Sequence, residues 1–190
     1  KRQSHEEIEL NRAADINVLC DPGVFLDTMN NLKKSNKWGL NKNWITENLS
    51  KKKDWINKSL KQLEKETTQA KKDGGKIHPL QLALDVQDVM KDNDWLVIDG
   101  GNTHFWSEIA INIAGYKGKK LGGILHPGTF SMLGVGVPFA LSAKNLNPKS
   151  NVVLISGDGA FLSGGLSIEA AFQENKPIVV VIDNNGGLDC

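Results

Sequence analysis

The sequence predicts an α/β fold, a parallel sheet flanked by helices, because apolar runs, glycine-rich loops and helix-like segments alternate along it. The strongest observation is that the apolar runs at residues 152–155 and 178–182 are each followed at once by a polar cluster. Residues 165–175 between them have helix character, so a strand–helix–strand unit with a right-handed crossover is expected. Both polar clusters then lie at the carboxyl edge of the sheet, where such sheets bind ligands.

The same alternation continues towards the amino end of the chain. Proline suits the first turn of a helix, so a helix is predicted to begin at Pro79. The side chains expected to form its buried stripe are Leu82, Val86, Val89 and Met90. The other predicted elements are strands at residues 16–19, 95–98 and 122–125, and helices at residues 24–32, 105–113 and 133–146.

Three segments are predicted from these patterns. Residues 1–35 are interpreted as the tail of a preceding α/β domain, and the lysine-rich residues 36–76 as an amphipathic helix or helix pair. Residues 77–190 form the sheet domain. The run Lys51-Lys52-Lys53 is interpreted as a solvated helix face, because no basic surface continues around it. Without an initiator methionine, and ending soon after a polar loop, the chain is expected to be a fragment whose last domain is truncated.

Composition excludes several classes of protein. The 190 residues are 39% hydrophobic and 24% charged with a formal net charge of +1, so no general attraction to nucleic acid or an anionic membrane is expected. The longest apolar run has five residues, far too few to span a bilayer. Two cysteines fit neither a disulfide framework nor a zinc motif. A cytoplasmic protein is the expectation.

Several glycine-rich loops follow predicted strands, and glycine lets backbone N–H groups approach an anion. These loops are Gly100-Gly101-Asn102-Thr103, Gly128-Thr129 and Gly157-Asp158-Gly159. A P-loop is excluded, because its last glycine must be followed by Lys and Ser/Thr, whereas Gly159 is followed by Ala160. A dinucleotide fingerprint is disfavoured, because its third glycine position holds Leu162 and Asp158 would face the pyrophosphate.

Asp158 and Asn185 are the candidate metal ligands. A carboxylate and an amide oxygen at neighbouring strand ends suit Mg²⁺, which prefers oxygen ligands and completes its shell with phosphate. The alternative role for Asp158 is a helix cap, but its pairing with Asn185 favours the metal. Asn184 is expected to hold the loop by side-chain to backbone hydrogen bonds.

These residues resemble a known superfamily. Two of the chain's polar clusters match the GDG…NN motif of thiamine-diphosphate-dependent enzymes, namely Gly157-Asp158-Gly159 and Asn184-Asn185. Residues 101–103 resemble the GANT loop of oxalyl-CoA decarboxylase and 2-hydroxyacyl-CoA lyase, and residues 128–136 resemble their GTFGTMGVG stretch. Residues 11–15 are similar to the end of the middle domain in this superfamily, which includes acetolactate synthase. The resemblance implies the thiamine-diphosphate-binding fold, with an incomplete pyrophosphate domain.

The resemblance also implies roles for individual residues. Asp158, the Asn185 side chain and the Gly187 carbonyl would hold Mg²⁺, while Leu133 would wedge thiamine into its bent shape. The Ser131 carbonyl would accept a hydrogen bond from the 4′-amino group of the cofactor, although the family usually has glycine there. The remaining expected cofactor contacts are Asn102, Thr103, Met132, Gly157, Gly159 and Ala160.

The activity implied is a thiamine-diphosphate- and Mg²⁺-dependent lyase, decarboxylase or carboligase acting on a 2-oxo acid or 2-hydroxyacyl-CoA. Acetolactate-synthase-like carboligation is the alternative, followed by a non-catalytic thiamine-diphosphate-binding homologue and, last, a nicotinamide-dependent dehydrogenase. His126 is the candidate catalytic acid or base, because it begins the loop that approaches the thiazolium. The family implies a homodimer or homotetramer with shared active sites, since the glutamate that contacts the aminopyrimidine belongs to a separate N-terminal domain. The fragment alone is expected to be inactive.

Overall fold

The computed structural model describes residues 15–35, 39 and 41–187. The chain divides into two compact units, Lys1–Lys53 and Asp54–Cys190. Residues 11–14, which carry most of the resemblance to a middle domain, lie outside the described residues. The assignment of residues 1–35 to such a domain therefore stays a prediction.

In the first unit, helix α1 spans Pro22–Lys34. The Asp21 carboxylate caps it by accepting the amide hydrogens of Gly23 and Val24, and a proline opens the first turn. The strand predicted at residues 16–19 is wrong: this segment is irregular, and Ile16 is 82% exposed. A strand needs a hydrogen-bonded neighbour, and the described residues of this unit contain no other strand.

The lysine-rich segment is a single helix rather than a pair, α2 at Lys42–Lys72. Its part within the second unit buries Ile56 and Leu63 in one apolar cluster with Leu80 and Leu84 of α3, which spans Pro79–Val89. The His78 side chain caps α3, with Nδ1 accepting the Leu80 amide hydrogen at 3.1 Å. The part of the predicted linker from Asp54 onward therefore shares a hydrophobic core with the rest of the second unit, which contains the sheet.

The predicted buried stripe of α3 is partly wrong. Val86 and Met90 are buried as predicted and Leu82 is half-buried, but Val89 is 79% exposed. The helix packs chiefly through the face that carries Leu84, and Val89 lies about 140° around the axis from that residue. An apolar side chain at the end of the helix thus faces solvent.

Four parallel strands form the sheet, which confirms the predicted fold class. They are β1 (Trp95–Asp99), β2 (Gly123–Leu125), β3 (Val152–Gly157) and β4 (Val179–Asp183), in the spatial order β2-β1-β3-β4. Gly157 pairs in register with Asp183, so the polar loops after β3 and β4 do emerge side by side.

Helices cover both faces of this sheet. The helices that follow β1 along the chain are α4 (Gly101–Tyr116), α5 (Gly136–Leu146), α6 (Asp158–Gly164) and α7 (Ile168–Gln173). Three predicted helix starts are wrong. Helix α4 begins at Gly101 rather than 105, so Asn102 and Thr103 lie in its first turn rather than in a loop. Helix α5 begins after the predicted residue 133 because Gly134 adopts φ +88°, which a helix excludes. The crossover helix begins at Asp158 rather than 165, and a 3₁₀ turn at Gly165–Ser167 interrupts it.

Alternate residues of the central strands point into two apolar layers. Leu96, Ile98 and Ile155 pack on one face with Met90, whereas Leu154 packs on the other face in a cluster that includes the small residues of α5. Burial on both faces explains why β1 and β3 read as continuous apolar runs. Within the described ranges, no helix is both long enough and apolar enough to cross a membrane.

The strand order places a topological switch point between β1 and β3. From β1 the chain crosses to β2 on one side, and from β3 it crosses to β4 on the other. The connections above the carboxyl ends of β1 and β3 therefore diverge and leave a crevice, where open α/β sheets bind ligands.

Candidate functional site

A small, open cleft lies at this switch point. Loops after three strands form its wall, joined by Leu133 from the segment before α5. Of the predicted cofactor contacts, all except Ser131 and Met132 line it. The lining residues are Gly100, Gly101, Asn102, Thr103, Leu133, Gly157, Asp158, Gly159, Ala160, Asp183, Asn185 and Gly187.

Close contact between two backbones shapes the floor of the cleft. Gly100 adopts φ +119°, and a Cβ built there would lie 3.1 Å from the Gly157 nitrogen. A side chain at this position would therefore separate the loops that follow β1 and β3. Glycine here brings the amino end of α4 beside the Gly157-Asp158-Gly159 turn, so that both present backbone N–H groups to one space.

A side-chain hydrogen bond fixes the third loop to the first. The Thr103 hydroxyl, which is buried, donates to Asp183 Oδ2 at 3.2 Å. This bond links the first turn of α4 to the end of β4. The sequence suggested Asp183 only as a ribose-binding residue of the disfavoured dinucleotide fold and did not place it among the expected thiamine diphosphate contacts, although its position directly before Asn184-Asn185 was the available signal.

The two predicted metal ligands both offer oxygen atoms at this edge. Asp158, the first residue of α6, accepts the Gly159 amide hydrogen through Oδ1 at 2.8 Å. Asn185 Oδ1 accepts the Gly187 amide hydrogen at 3.2 Å, which holds its loop in a tight turn. Asn184 makes the equivalent bond to Gly186, as expected for a structural residue.

The charge of the cleft is one-sided. Its described lining includes the carboxylates of Asp158 and Asp183 but no lysine, arginine or histidine. Backbone N–H groups at the amino end of α4 favour an anion, whereas the carboxylates oppose one. A divalent cation that contacts both an anion and the Asp158 carboxylate would offset this opposition, so the donor set fits a metal-bridged phosphate ligand.

Asp99, at the end of β1, is a functional candidate that the sequence analysis missed. It is 1% exposed, and its Oδ2 accepts the amide hydrogens of Gly134 at 3.0 Å and Gly136 at 2.7 Å. Oδ1 is buried without a hydrogen-bond partner among the described residues. Asp99 therefore fastens the segment after Leu133 to the sheet. The available signal was an acidic residue ending an otherwise apolar strand.

Burial raises the pKa of the Asp99 carboxyl above its ordinary value, although the amides of Gly136 and Gly134 lower it in part. Since the folded protein holds this proton more tightly than the unfolded chain, the group's contribution to stability is complete below the unfolded pKa. It is lost as the pH rises through the folded pKa.

Asp99→Asn keeps an acceptor oxygen but cannot ionise. We therefore expect the free energy of unfolding of this variant, relative to that of the parent, to be larger at pH 7.5 than at pH 4.5. Urea denaturation at both values measures this change. Asp99→Ala serves as the comparison, because it leaves two N–H groups without an acceptor and should destabilise by about 1–3 kcal/mol at either pH. An Asp99→Asn difference that is the same at both pH values contradicts the assignment.

Ser131 and Met132 lie just before Leu133 but outside the cleft lining. Ser131 follows a 3₁₀ turn at Gly128–Phe130 and adopts a left-handed conformation, with φ 47° and ψ 32°. This backbone region favours glycine, the residue usual in the resembling family at this place. The serine is therefore accommodated at a conformational cost.

We expect Ser131→Gly to stabilise the protein by about 1 kcal/mol, because glycine removes the left-handed strain. Thermal or urea unfolding measures the change. Ser142→Gly is the matched control: Ser142 is exposed within α5, where glycine should instead destabilise by about 0.5–1 kcal/mol. Destabilisation by both substitutions would exclude strain at Ser131.

His126 does not line the cleft. It is exposed directly after β2 and forms a cluster with His104 and Glu108 of α4. The structure thus brings together most of the predicted cofactor contacts and places the predicted catalytic residue in a neighbouring group.

Comparison with known proteins shows a family to which part of the chain is similar. Residues 99–190 match the family model described as thiamine pyrophosphate enzyme, C-terminal TPP binding domain. This match supports the recognition of a thiamine-pyrophosphate-enzyme domain in residues 99–190; thiamine pyrophosphate is thiamine diphosphate.

Individual relatives are similar over somewhat more than half of the chain. 2-Hydroxyacyl-CoA lyase 2 of Bos taurus is 33% identical over 58% of this chain and 17% of its own length. Catabolic acetolactate synthase of Raoultella terrigena is 31% identical over 56% and 18%. Oxalyl-CoA decarboxylase of Escherichia coli K12 is 36% identical over 54% and 18%. The match therefore spans less than a fifth of these relatives.

Proposed function

We propose that this chain binds thiamine diphosphate and Mg²⁺ in the switch-point cleft, as part of an enzyme that cleaves or forms carbon–carbon bonds. The substrate proposed is a 2-oxo acid or a 2-hydroxyacyl-CoA. The observation that carries the proposal is a cleft with carboxylates, backbone N–H groups and no cationic side chain, in a domain of the thiamine pyrophosphate enzyme family. Names of the similar proteins include a lyase, a decarboxylase and a synthase.

In this proposal Mg²⁺ is held by the side chains of Asp158 and Asn185 and by the Gly187 carbonyl. On one side, the Ala160 N–H and the Gly159 N–H, which is bonded to Asp158 Oδ1 in the structure, would donate to the diphosphate. Asn102 and Thr103, in the first turn of α4, lie on the other side. All of these residues line the same cleft, which supports their assignment to one ligand.

Leu133 is the apolar residue of the cleft lining that is suited to support the thiazolium. The Ser131 carbonyl is assigned to the 4′-amino group. When bound, the cofactor supplies the electron sink for cleavage of a bond next to a carbonyl. The protein contributes metal ligands, orientation and a partly apolar wall.

Two alternatives differ in activity rather than in ligand. An acetolactate-synthase-like carboligase joins a second carbonyl compound, and a non-catalytic homologue binds the cofactor without turnover. The proposed enzyme is a homodimer or homotetramer in which another domain completes the site with a glutamate. A nicotinamide-dependent dehydrogenase is disfavoured, because two carboxylates line the cleft beside the loop that would hold its pyrophosphate.

The test is a fluorescence or calorimetric titration of the intact protein with thiamine diphosphate, with Mg²⁺ and with EDTA. We expect thiamine diphosphate to bind more tightly with Mg²⁺ than with EDTA. We expect no binding of NADH under either condition. Equal affinity in EDTA would contradict the metal assignment, and NADH binding would support the dehydrogenase. Turnover of pyruvate as a 2-oxo acid, compared with a 2-hydroxyacyl-CoA, then separates the two substrate classes; turnover of neither supports the non-catalytic homologue.

A further inference from the structure

Two histidines and a glutamate form a cluster beside the cofactor cleft. His104 follows the cleft residue Thr103 in the first turn of α4, and Glu108 lies one turn later. His126 follows β2. One ligand atom from each of the three residues lies within 4.8 Å of those from the other two. Residues 127–132 connect His126 to Leu133, so the cluster lies at the same sheet edge as the cleft.

Such a cluster could hold a transition metal, but a hydrogen bond at His126 opposes this. His126 Nδ1 accepts the amide hydrogen of Gly128 at 3.1 Å. A metal-bound histidine normally carries a proton on its other ring nitrogen and donates it to an acceptor. Here a backbone N–H occupies the place of that acceptor. The bond therefore assigns His126 as the neutral tautomer with its proton on Nε2.

We propose that His126 contacts the substrate, using its neutral Nε2–H group to donate a hydrogen bond to the carbonyl oxygen of a 2-oxo acid or acyl thioester. This inference rests on the proposed function and replaces an acid–base role. A neutral imidazole that gave up its Nε2 proton would become an anion, so the group polarises the carbonyl without transferring a proton. Its exposure leaves the ring accessible to a ligand.

His104 and Glu108 are positioning residues in this arrangement. His104 Nε2 lies 3.3 Å from Glu108 Oε1, a hydrogen bond between successive turns of α4. The His104 ring also lies against the His126 ring, with centroids 4.7 Å apart and planes inclined by 46°. The contact with the His104 ring therefore limits rotation of the His126 ring, and the Gly128 amide holds the same ring through its hydrogen bond to Nδ1.

The tautomer is tested by ¹⁵N NMR of histidine-labelled intact protein without cofactor at pH 7, with His126→Gln used to assign the signal. We expect the long-range ¹H–¹⁵N pattern of the Nε2–H form. Glu108→Gln, which keeps an acceptor for His104, should retain this pattern, whereas His104→Leu should increase exchange between tautomers. A proton on Nδ1 in the parent protein would overturn the proposal.

Substrate contact is tested with protein loaded with thiamine diphosphate and Mg²⁺, using whichever of pyruvate and the 2-hydroxyacyl-CoA is turned over. Loss of one donor to a reacting oxygen costs about 10²–10³ in rate, so His126→Leu should lower kcat/KM about a hundredfold. His126→Gln retains an N–H donor and should recover at least tenfold of that loss. Thiamine diphosphate affinity should change less than twofold in both variants. Equal activity of the parent and His126→Leu would refute the contact.

The metal alternative has its own readout. The intact protein is titrated with Zn²⁺ alone in a calorimeter, and the titration is repeated with His104→Leu, Glu108→Gln and His126→Gln. Submicromolar binding that every substitution abolishes would assign the cluster to a metal and overturn the proposal. Because the NMR and zinc measurements need no cofactor, either can overturn this inference even if thiamine diphosphate fails to bind.

Discussion

Replacing Asp158 with alanine is expected to weaken thiamine diphosphate binding in Mg²⁺ by at least about 100-fold, because the proposed metal would lose its only charged side-chain ligand. One lost charge-assisted interaction in a partly buried site is worth about 2–3 kcal/mol, or about 30- to 150-fold in affinity. Without Asp158 the other proposed ligands would also hold the metal less well, which lowers the affinity further. Titration of parent and variant in Mg²⁺ and in EDTA measures it.

Two further variants make the Asp158 experiment specific. Asp158→Asn keeps an oxygen and removes the charge, so its affinity should fall between those of the parent and Asp158→Ala. Asp88→Ala removes an exposed carboxylate on α3, outside the cleft lining, and should leave affinity unchanged. If Asp158→Ala binds thiamine diphosphate as tightly as Asp88→Ala does, the metal site has been placed on the wrong residue.

Gly164→Ala is expected to destabilise the fold by about 3 kcal/mol or more and to weaken cofactor binding. A Cβ at Gly164 would overlap the carbonyl oxygen of Gly134. Both sides of this contact are backbone, so no side-chain rotation relieves it, and the segment after Leu133 must move away from α6. Since Leu133 lines the cleft, the displacement reaches the cofactor. Urea denaturation and thiamine diphosphate titration report the two effects.

Gly115→Ala is the matched control for this substitution. Gly115 lies in α4, and a Cβ there would meet no atom within 4 Å. Alanine should therefore stabilise the protein by up to about 1 kcal/mol through helix propensity. Similar stability of the Gly164→Ala and Gly115→Ala proteins would show that the backbone contact at Gly134 is not tight.

Sequence patterns predicted the sheet and most of the candidate site. The apolar runs of β1 and β3 are buried on both faces, and this burial is what makes them recognisable as parallel strands. The polar loops after β3 and β4 were predicted to meet because parallel neighbours end at the same edge, and their register now shows it. Asp158 and Asn185 could therefore be assigned to one cleft before any coordinates were known.

Predictions failed where a position depends on a distant neighbour. Residues 16–19 have the composition of a strand but no paired strand in their described unit, and Val89 has an apolar side chain on a solvent-facing turn. Asp99 and Asp183 were not placed among the expected site residues because their partners, Gly136 and Thr103, are far away in sequence. Periodicity carries no information about such contacts.

The sequence by itself determined the class of fold, the order of its strands and loops, and the chemistry of the Gly157-Asp158-Gly159 and Asn185 pair. These follow from local composition and from the fixed geometry of parallel strands. Tertiary structure alone decided which glycines touch, which carboxylates are buried, and that the His104 and His126 rings lie against each other. Those features arise from close packing between segments that are remote in the chain, because packing depends on the whole set of neighbours rather than on any one segment.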